Sequence, residues 1–325
     1  MRDSFGREIH YLRISLTDRC NLRCIYCMPE QGQTFLAQAP RMTDDELVRI
    51  VSLTARLGFN RIRLTGGEPT VRPNLTLLIE RINQISGIRE IAMTTNGMQL
   101  EKMAEPLARA GLKRVNVSLD SLDSEQFALM TRFGKLDAVW RGILAAENAG
   151  MQPIKLNAVV VRGYNENAIA DLARLTLDHP WQMRFIEVMP LGSIADFQMD
   201  SLVPVAEMKE RIESALGPLE PLEWSGHTPH RPYRLAGAVG TLGFISSVSD
   251  PFCAGCNRIR MTADGHIRLC LLRDDEVDVL SPLRRGATDE ELLDLMQASI
   301  FKKPWGHGLS EKSWPQTSDM SEIGG

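Results

Sequence analysis

The sequence predicts an α/β fold: an incomplete (β/α)6 barrel of the TIM type over residues 1–190, with a C-terminal extension, residues 191–325, that closes its open side. Six strand-like segments alternate with helix-like segments over the first 190 residues, a pattern typical of a parallel sheet covered by helices. Periodicity alone does not distinguish an open sheet from a curved barrel. The positions of several polar, glycine and cysteine residues favour the barrel, because barrel active sites form where the strands end. The residues at or just after strand ends are Cys20, Gly67, Thr94, Ser118 and Met189.

The elements follow one another in a regular order. Strands are predicted at residues 11–16, 61–65, 90–95, 114–119, 154–161 and 182–188, and helices at residues 43–57, 74–85, 101–110, 136–149 and 166–177. Thr43 and Glu46 resemble a capping box at the start of the first helix, and Gly111 is a plausible C-cap of the third. Beyond residue 190 the regular alternation ends. The proline-containing residues 217–233 predict a loop, an apolar segment follows at 241–248, and residues 288–299 predict a helix.

The composition excludes several classes of protein. Hydrophobic residues make up 43% and charged residues 24% of the chain, the usual mixture of a globular protein. The net charge of −4 and the pI of about 5.9 argue against a nucleic-acid-binding protein. No apolar run approaches the roughly 20 residues that span a membrane, and the first residues lack the pattern of a secretory signal. We therefore expect a cytoplasmic protein that binds neither nucleic acid nor membranes.

The 6 cysteines fall into two groups of three. If the cysteines formed disulfides within each group, one cysteine of each group would stay unpaired. In a reducing compartment such groups are more often metal ligands. The first group, Cys20, Cys24 and Cys27, has C-x3-C-x2-C spacing, which can ligate three irons of a 4Fe–4S cluster. A structural zinc site is the alternative, but it needs a fourth ligand, and His10 would have to bend back to provide one.

The C-x3-C-x2-C segment with Tyr26 before its last cysteine resembles the signature of the radical S-adenosylmethionine (SAM) superfamily. The resemblance implies a 4Fe–4S cluster whose open iron binds the amino and carboxylate groups of SAM, and reductive cleavage of SAM to methionine and a 5'-deoxyadenosyl radical. Gly66-Gly67-Glu68-Pro69 resembles the superfamily motif that holds the methionine amino group. Ser118 and Met189 match further positions that contact SAM. The family therefore implies one set of SAM-binding residues: Tyr26, Gly66, Gly67, Glu68, Ser118 and Met189.

The second group, Cys253, Cys256 and Cys270, has C-x2-C-x13-C spacing. In isolation this pattern favours structural zinc, because His266 could complete a Cys3His site and Asp264-Gly265 could form a hairpin turn between the two halves. The context of the whole chain favours a different interpretation. The order of the motifs, ending in Gly324-Gly325, resembles the GTP 3',8-cyclase family of molybdopterin biosynthesis over essentially the full length.

That resemblance implies a second 4Fe–4S cluster on Cys253, Cys256 and Cys270, with an open iron that binds the guanine of GTP. Arg258 and Arg260 would lie on one face of a strand beside it, since they are two residues apart, and guanidinium groups suit a triphosphate. The family positions for the substrate are Arg13, Arg63, Thr94, Lys155, Arg258 and Arg260. The terminal Gly324 and Gly325 match a tail that reaches the active site in the family.

The implied reaction removes the 3' hydrogen of GTP and joins C3' to C8 of the guanine, giving a 3',8-cyclised dihydro-GTP. The implied partners are the GTP substrate, a reducing protein as electron donor, a cyclic pyranopterin monophosphate synthase that takes the product, and a second copy of the chain in a homodimer.

Three alternatives remain at this stage. A radical enzyme that modifies a peptide would carry more C-terminal cysteines than the three present. A binding or regulatory protein could hold one cluster and one zinc ion, with His266 as a ligand. A nucleotide-binding module without redox chemistry leaves Cys20, Cys24 and Cys27 unexplained.

Overall fold

Six parallel strands form the centre of one sheet, side by side in the order in which they occur along the chain. The computed structural model describes residues 1–32, 41–309, 314–315 and 319–324. The strands are β1 (Tyr11–Ser15), β2 (Arg61–Thr65), β3 (Glu90–Thr95), β4 (Arg114–Ser118), β5 (Lys155–Val160) and β6 (Gln182–Glu187). The helices between them are α1 (Asp44–Arg56), α2 (Leu75–Asn83), α3 (Leu100–Ala110), α4 (Ser124–Thr131), α5 (Leu136–Asn148) and α6 (Ile169–Asp178). The predicted strand–helix alternation and α/β fold class are confirmed.

Local sequence explains where these elements begin and end. Thr43 accepts a hydrogen bond from the N–H of Glu46, and the Glu46 carboxylate accepts one from Thr43, so α1 starts with the predicted capping box. α3 ends at Gly111, whose φ of 112° suits glycine far better than other residues. β5 is buried at four of its six positions, as expected for a central strand with both faces covered.

The C-terminal region extends the same sheet at both ends. β9 (Thr241–Ile245) runs parallel to β6, and the antiparallel strands β8 (Arg231–Leu235) and β7 (Leu219–Pro221) follow outward. At the other end, β10 (Arg258–Met261) runs parallel to β1 and is followed by β11 (His266–Arg268) and β12 (Glu276–Asp278). The remaining helices are α7 (Ala195–Asp200), α8 (Val205–Leu216), α9 (Leu280–Arg284), α10 (Asp289–Phe301) and α11 (Met320–Ile323).

The sheet is a partial barrel. Its strand order begins at β12 and ends at β7, and these two strands do not pair among the described residues. The C-terminal strands therefore widen the sheet on both sides without joining it into a ring. Strands from before and after residue 190 belong to the same sheet. The division of the chain into two domains at this residue stays a prediction.

Two expectations differ from the structure. Residues 217–233 are not wholly a loop, because they include β7 and the first residues of β8. Pro221 lies on β7 at the edge of the sheet, where proline is tolerated. The prolines in this segment therefore indicated a loop where two short antiparallel strands are present. The helix α4, absent from the sequence-based assignment, fills part of the connection between β4 and α5.

The main apolar core lies between the sheet and the helices and includes the fully buried Phe59, Phe127 and Trp181. Within the described residues, no helix is long and apolar enough to cross a membrane.

Candidate active site

The carboxyl ends of the central strands surround a cavity of about 160 Å³. The first three cysteines line it, and so do all the residues expected to bind SAM. They are Cys20, Cys24, Cys27, Tyr26, Gly66, Gly67, Glu68, Ser118 and Met189. The structure thus brings together residues that are up to 169 positions apart in the sequence, from Cys20 to Met189, while their individual roles stay predictions.

Backbone and side-chain contacts fix the first cysteine loop. The N–H of Cys27 donates to the carbonyl of Cys24 at 2.9 Å. The N–H of Leu22 donates to Cys20 Sγ at 3.3 Å. The loop is also tied to the end of α4, because Ile25 N donates to the carbonyl of Met130. His10 lies at the opposite end of β1, beside Asn257, so it is not near these thiols.

The three cysteines are partly buried, and the thiolate form of each is disfavoured. Burial raises the pKa of Cys20 to about 11. Burial also raises the pKa of Cys24 far above its usual range, and the charges of Asp120 and the other two cysteines add to this shift. The pKa of Cys27 is raised by burial and then by Cys20. Such thiols become thiolates when a cationic centre binds and the protons leave.

This donor set has the chemistry of a multi-iron cluster site, because cysteine thiolates are the usual ligands of 4Fe–4S clusters. A cluster of four irons and four sulfides is larger than an ion and needs ligands spaced around it. Three cysteines around one cavity meet that requirement.

Gly66 and Gly67 allow the β2 turn to pack directly on the chain that leads into Cys20. A Cβ on Gly67 would overlap the carbonyl oxygen of Arg19, and one on Gly66 would overlap that of Thr17. The N–H of Gly67 donates to Thr17 O at 2.7 Å, and that of Glu68 donates to Arg19 O at 2.8 Å. The missing side chains thus let the two backbone segments pack together at the edge of the first cavity.

Glu68 is buried and surrounded by donors. Its carboxylate accepts hydrogen bonds from Thr70 N at 3.0 Å, Thr70 Oγ1 at 2.6 Å, Thr95 Oγ1 at 2.7 Å and Asn96 N at 2.7 Å. Burial raises the pKa of Glu68, and these hydrogen bonds act in the opposite direction. The side chain therefore fixes the ends of β2 and β3 relative to each other.

Tyr26 is held from two sides. Its hydroxyl donates to Asp120 Oδ2 at 2.8 Å, and Gln198 Nε2 on α7 donates to its carbonyl at 2.8 Å. Asp120 also accepts from the N–H of Val159 at 3.0 Å. Burial raises the pKa of Asp120 to about 6, although the hydrogen bonds from Tyr26 and Val159 favour the anion. Asp120 thus links the cysteine loop to β4 and β5.

A second cavity, of about 350 Å³, adjoins the first. Its described lining contains nine lysine and arginine side chains and one carboxylate, Glu90. The cations are Arg13, Arg61, Arg63, Arg114, Lys155, Arg184, Arg258, Arg260 and Lys303. All six residues expected to contact the substrate line this cavity, and Thr94 lines both. A polyanion is the ligand chemistry that this charge distribution favours.

Three of the arginines form a row across adjacent strands. Arg260 on β10 is in register with Arg13 on β1, which is in register with Arg63 on β2. Like charges in directly opposite positions destabilise a sheet. A bound anion would therefore stabilise the arrangement. Arg63 also contacts the hydroxyl groups of Tyr11 and Thr94.

Burial and mutual repulsion lower the pKa values of these cations. Burial and then the charges of Arg184 and Arg114 lower the pKa of Lys155 to about 5. Burial followed by Arg63 lowers the pKa of Arg184 to about 9, and burial followed by Arg258 lowers that of Arg260 to about 9. A bound anion would reverse these shifts, because it favours each charged form.

The second three cysteines open into this cavity as well. Cys253 and Cys256 lie on a short 3-10 turn whose Cys256 N donates to Cys253 O at 3.1 Å, and Cys270 follows β11. His266 does not line the cavity. It pairs with Asp278 on β12, and its Nδ1 lies 3.3 Å from Asp264. The Cys3His zinc site that the sequence left open is therefore not assembled among the described residues.

The turn predicted within this segment is present. β10 and β11 are antiparallel, Gly265 has a φ of 79°, and its N–H donates to Thr262 O at 3.1 Å. This hairpin brings Cys270 back toward Cys256 even though 13 residues separate them. The hairpin explains the long spacing of the third cysteine without requiring His266 as a ligand.

The C-terminal tail reaches the junction of the two cavities. Met320 on α11 lines both of them. Arg260 Nη1 donates to the carbonyl of Gly324, and a Cβ on Gly324 would overlap Thr65 Oγ1 at the end of β2. Gly324 therefore fits where a larger residue would not. Gly325 lies outside the described residues.

Sequence reasoning missed several residues that line the second cavity. They include Tyr11, Arg114, Asn116, Asn157, Arg184, His230, Lys303 and His307. A signal existed for Arg184, which is a charged residue within a strand that was expected to be covered by helices. Lys303 and His307 lie in a segment without helix or strand. Neither hydrophobic periodicity nor a sequence motif identifies them as site residues.

Two family models match consecutive parts of the chain. The model described as "Radical SAM superfamily" matches residues 14–176, and that described as "Molybdenum Cofactor Synthesis C" matches residues 181–309. Together they include every cysteine of both groups.

Curated relatives match over the whole length. The chain is 47% identical to the GTP 3',8-cyclase of Pelotomaculum thermopropionicum and 48% identical to that of Thermodesulfovibrio yellowstonii, each over 326 aligned residues covering all of both proteins. Among solved structures, Streptococcus suis SuiB bound to S-adenosylmethionine has a similar fold, with a TM-score of 0.65 and 14% identity. The match covers 91% of this chain and 68% of SuiB.

Proposed function

The chain belongs to the GTP 3',8-cyclase family of the radical SAM superfamily, and from this premise we propose how its two cavities divide the reaction. It is an enzyme that converts GTP to (8S)-3',8-cyclo-7,8-dihydroguanosine 5'-triphosphate in the first step of molybdenum cofactor biosynthesis. A 4Fe–4S cluster and SAM are its cofactors. When bound, they supply a low-potential electron and a radical that can remove a hydrogen atom from carbon. The residue roles that follow are our proposal.

In the first cavity, Cys20, Cys24 and Cys27 would hold the cluster, and the turn from Gly66 to Glu68 would position SAM. The hydrogen bonds around Glu68 support this role, because they fix the turn before any ligand arrives. Ser118 and Met189 line the same cavity and would contact other parts of SAM. Enclosure of the cavity by Tyr26 and Asp120 would limit the access of water.

In the second cavity, the cations would bind the triphosphate of GTP. The row of Arg260, Arg13 and Arg63 supports this assignment, since its repulsion is relieved by a polyanion. Lys155 and Arg184 would contribute from β5 and β6. These groups orient the substrate and stabilise its charge, and no side chain is assigned as a catalytic acid or base.

We propose that Cys253, Cys256 and Cys270 hold a second 4Fe–4S cluster, at the end of the cavity where the guanine lies. Three cysteine thiols around one cavity, without His266, support a cluster with one iron open to the substrate. Arg258, between the cysteines in sequence, would contact the nucleotide beside that cluster.

Gly324 and Gly325 would close the junction between SAM and GTP. The contacts of Gly324 with Arg260 and Thr65 support this role. The product would pass to a cyclic pyranopterin monophosphate synthase. We further propose a reducing protein as the electron donor and a homodimer as the assembled enzyme, both from the family alone.

The single observation that carries the proposal is that two separate cysteine groups face adjoining cavities, one of which is lined by nine lysine and arginine side chains. A peptide-modifying radical enzyme would not need this concentration of positive charge. A nucleotide-binding module would not need the cysteines.

The proposal is tested by measuring iron, sulfide and zinc in anaerobically reconstituted protein, together with the conversion of GTP. We expect about eight irons per chain, and about four in Cys253→Ser and in Cys24→Ser. Cys24→Ser should lose SAM cleavage altogether. Cys253→Ser should still form 5'-deoxyadenosine, at a reduced rate, and should not form the cyclised product. About four irons with one zinc in the wild-type protein would contradict the second cluster.

A further inference from the structure

Lys303 is a buried cation to which no individual role has been assigned above. Its side chain is 3% exposed, and its Nζ donates to the carbonyl of Leu269, the residue before Cys270. It also lines the second cavity. A lysine is rarely buried to this degree without a charged partner. Its partner here is a neutral carbonyl, so its positive charge is available to a nearby anionic group.

The neighbouring lysine is different. Lys302 ends α10 and is exposed to solvent. Two adjacent residues of the same type therefore have opposite environments, one in water and one beside the cysteines. The segment returns Lys303 to the interior because its backbone N–H donates to Ile300 O, which closes the turn at the end of α10.

Lys303 lies close to the second cysteine group. Its side chain lines the second cavity together with Cys253, Cys256 and Cys270. The hydrogen bond from its Nζ to the carbonyl of Leu269 brings the ammonium to the residue that precedes Cys270. The lysine and the three thiols of the proposed site therefore share one cavity.

The first cysteine group has the opposite surroundings. The buried carboxylates of Glu68 and Asp120 line the first cavity together with its three cysteines. One site is therefore bordered by buried acids and the other by a buried lysine. Cluster potentials depend on local net charge, hydrogen bonding and exposure.

We infer that Lys303 sets the electron affinity of the second cysteine site: its ammonium stabilises the reduced state of the cluster, which carries one more negative charge than the oxidised state. This inference rests on the proposed second cluster. The step is the addition of one electron from a reductant to the cluster, and no bond forms or breaks. Lys303 is a positioning and charge-tuning residue, and it has no assigned contact with the reacting carbon atoms.

The test is an anaerobic redox titration of the full-length protein with both clusters loaded, followed by electron paramagnetic resonance. The signal that changes when SAM is added reports the first cluster, and the other reports the second. Three substitutions separate charge from hydrogen bonding. Lys303→Met removes both, Lys303→Gln keeps a donor without the charge, and Lys303→Arg keeps the charge. Lys302→Met is the matched control.

We expect the equilibrium constant for reducing the second cluster to fall about tenfold in Lys303→Met, a shift of about 59 mV for one electron. The constant should be lowered by a similar factor in Lys303→Gln and should be close to the wild-type value in Lys303→Arg. Lys302→Met should have the same constant as the wild type. The first cluster should keep its potential in every variant.

Three results would overturn the inference. Wild-type potentials in both neutral variants would show that the charge has no effect. A wild-type potential in Lys303→Gln alone would assign the role to the hydrogen bond. An unchanged potential with weaker GTP binding would make Lys303 a substrate ligand. If the wild-type protein holds only about four irons and one signal, the second cluster itself fails and the inference fails with it, an outcome that iron analysis separates from the others.

Discussion

A buried lysine that is surrounded by arginines favours its neutral form. This preference determines the protonation state of Lys155 when the second cavity is empty of ligand. Lys155 lies on β5 with Arg184 and Arg114 near it, and burial together with these charges lowers its pKa to about 5. At neutral pH the free enzyme therefore holds an uncharged amine at this point. The charge needed to bind a phosphate must arrive as a proton together with the ligand.

We therefore predict that GTP binding takes up a proton at Lys155. The bound phosphate raises the pKa of the amine, so the affinity contributed by this group is complete below pH 5 and declines as the pH rises through the interval between the free and bound pKa values. Isothermal titration calorimetry in buffers of different ionisation enthalpy measures the uptake. Lys155→Met should remove it and weaken binding roughly 10- to 100-fold at pH 6.

The phosphates of GTP titrate as well, so the comparison is between wild type and Lys155→Met with the same ligand. Only the difference between the two proteins reports the lysine. Equal proton uptake in both, with both correctly folded, would show that Lys155 does not gain a proton when the ligand binds and would contradict the prediction.

At the level of elements, the turn after β2 and the segment after β1 behave as one unit. Thr17 and Arg19 accept hydrogen bonds from Gly67 and Glu68, and the two backbones are too close for a side chain between them. Cys20 begins immediately after this contact. The position of the first cysteine is therefore set by the β2 turn as much as by its own loop.

Gly67→Ala should accordingly disturb the first cysteine group and leave the second intact. The added methyl group overlaps the backbone of Arg19, which cannot move away as a flexible side chain could. We expect about four of the roughly eight irons to be lost, with SAM cleavage reduced at least tenfold. Glu210→Ala is the control, because Glu210 lies at an exposed position of α8. Full iron content in Gly67→Ala would show that the loop adjusts.

The same elements show what sequence can predict. The six central strands and the capped helix α1 follow from short-range patterns, namely periodicity and the Thr43–Glu46 pair. The position of β10 beside β1 does not, because its neighbour lies almost 250 residues away and parallel pairing has no local signal. The Arg260–Arg13–Arg63 row exists only through that pairing.

The candidate site divides in the same way. Residues in motifs, such as the cysteines and Gly66-Gly67, were identified from their spacing. Arg184 and Lys303 were not, since a single cation in a strand or loop is ordinarily solvated. Their burial comes from tertiary packing, which a sequence pattern does not record. For Gly67 too, the close approach of the Arg19 backbone comes from tertiary packing, and the assigned contact with SAM stays a prediction.

For the molecule as a whole, the two cavities form one continuous site. Their shared lining residues are Thr94, Asn157, Ile186, Met189 and Met320. Three of these, Thr94, Ile186 and Met189, lie at or just beyond the carboxyl ends of central strands. Asn157 lies within β5, and Met320 lies on the C-terminal helix α11. A substrate in the cationic cavity therefore lies next to whatever occupies the first, which is the arrangement that transfer of a hydrogen atom requires.

If the adjoining cavities bind different molecules, a substitution in the second cavity, away from the first, should reduce GTP cyclisation without abolishing SAM cleavage. Arg258 is suited to this test because it lines only the second cavity, where it lies over the Phe252 ring. In Arg258→Ala we expect kcat/KM for GTP cyclisation to fall at least tenfold, since a charged hydrogen bond contributes about 1.5–3 kcal/mol. Cleavage of SAM to 5'-deoxyadenosine should continue without matching product. Arg234→Ala, on the exposed side of β8, should leave both rates unchanged. Loss of both activities in Arg258→Ala, with about eight irons still bound, would mean that this arginine supports the first cavity and that the two are not functionally separate.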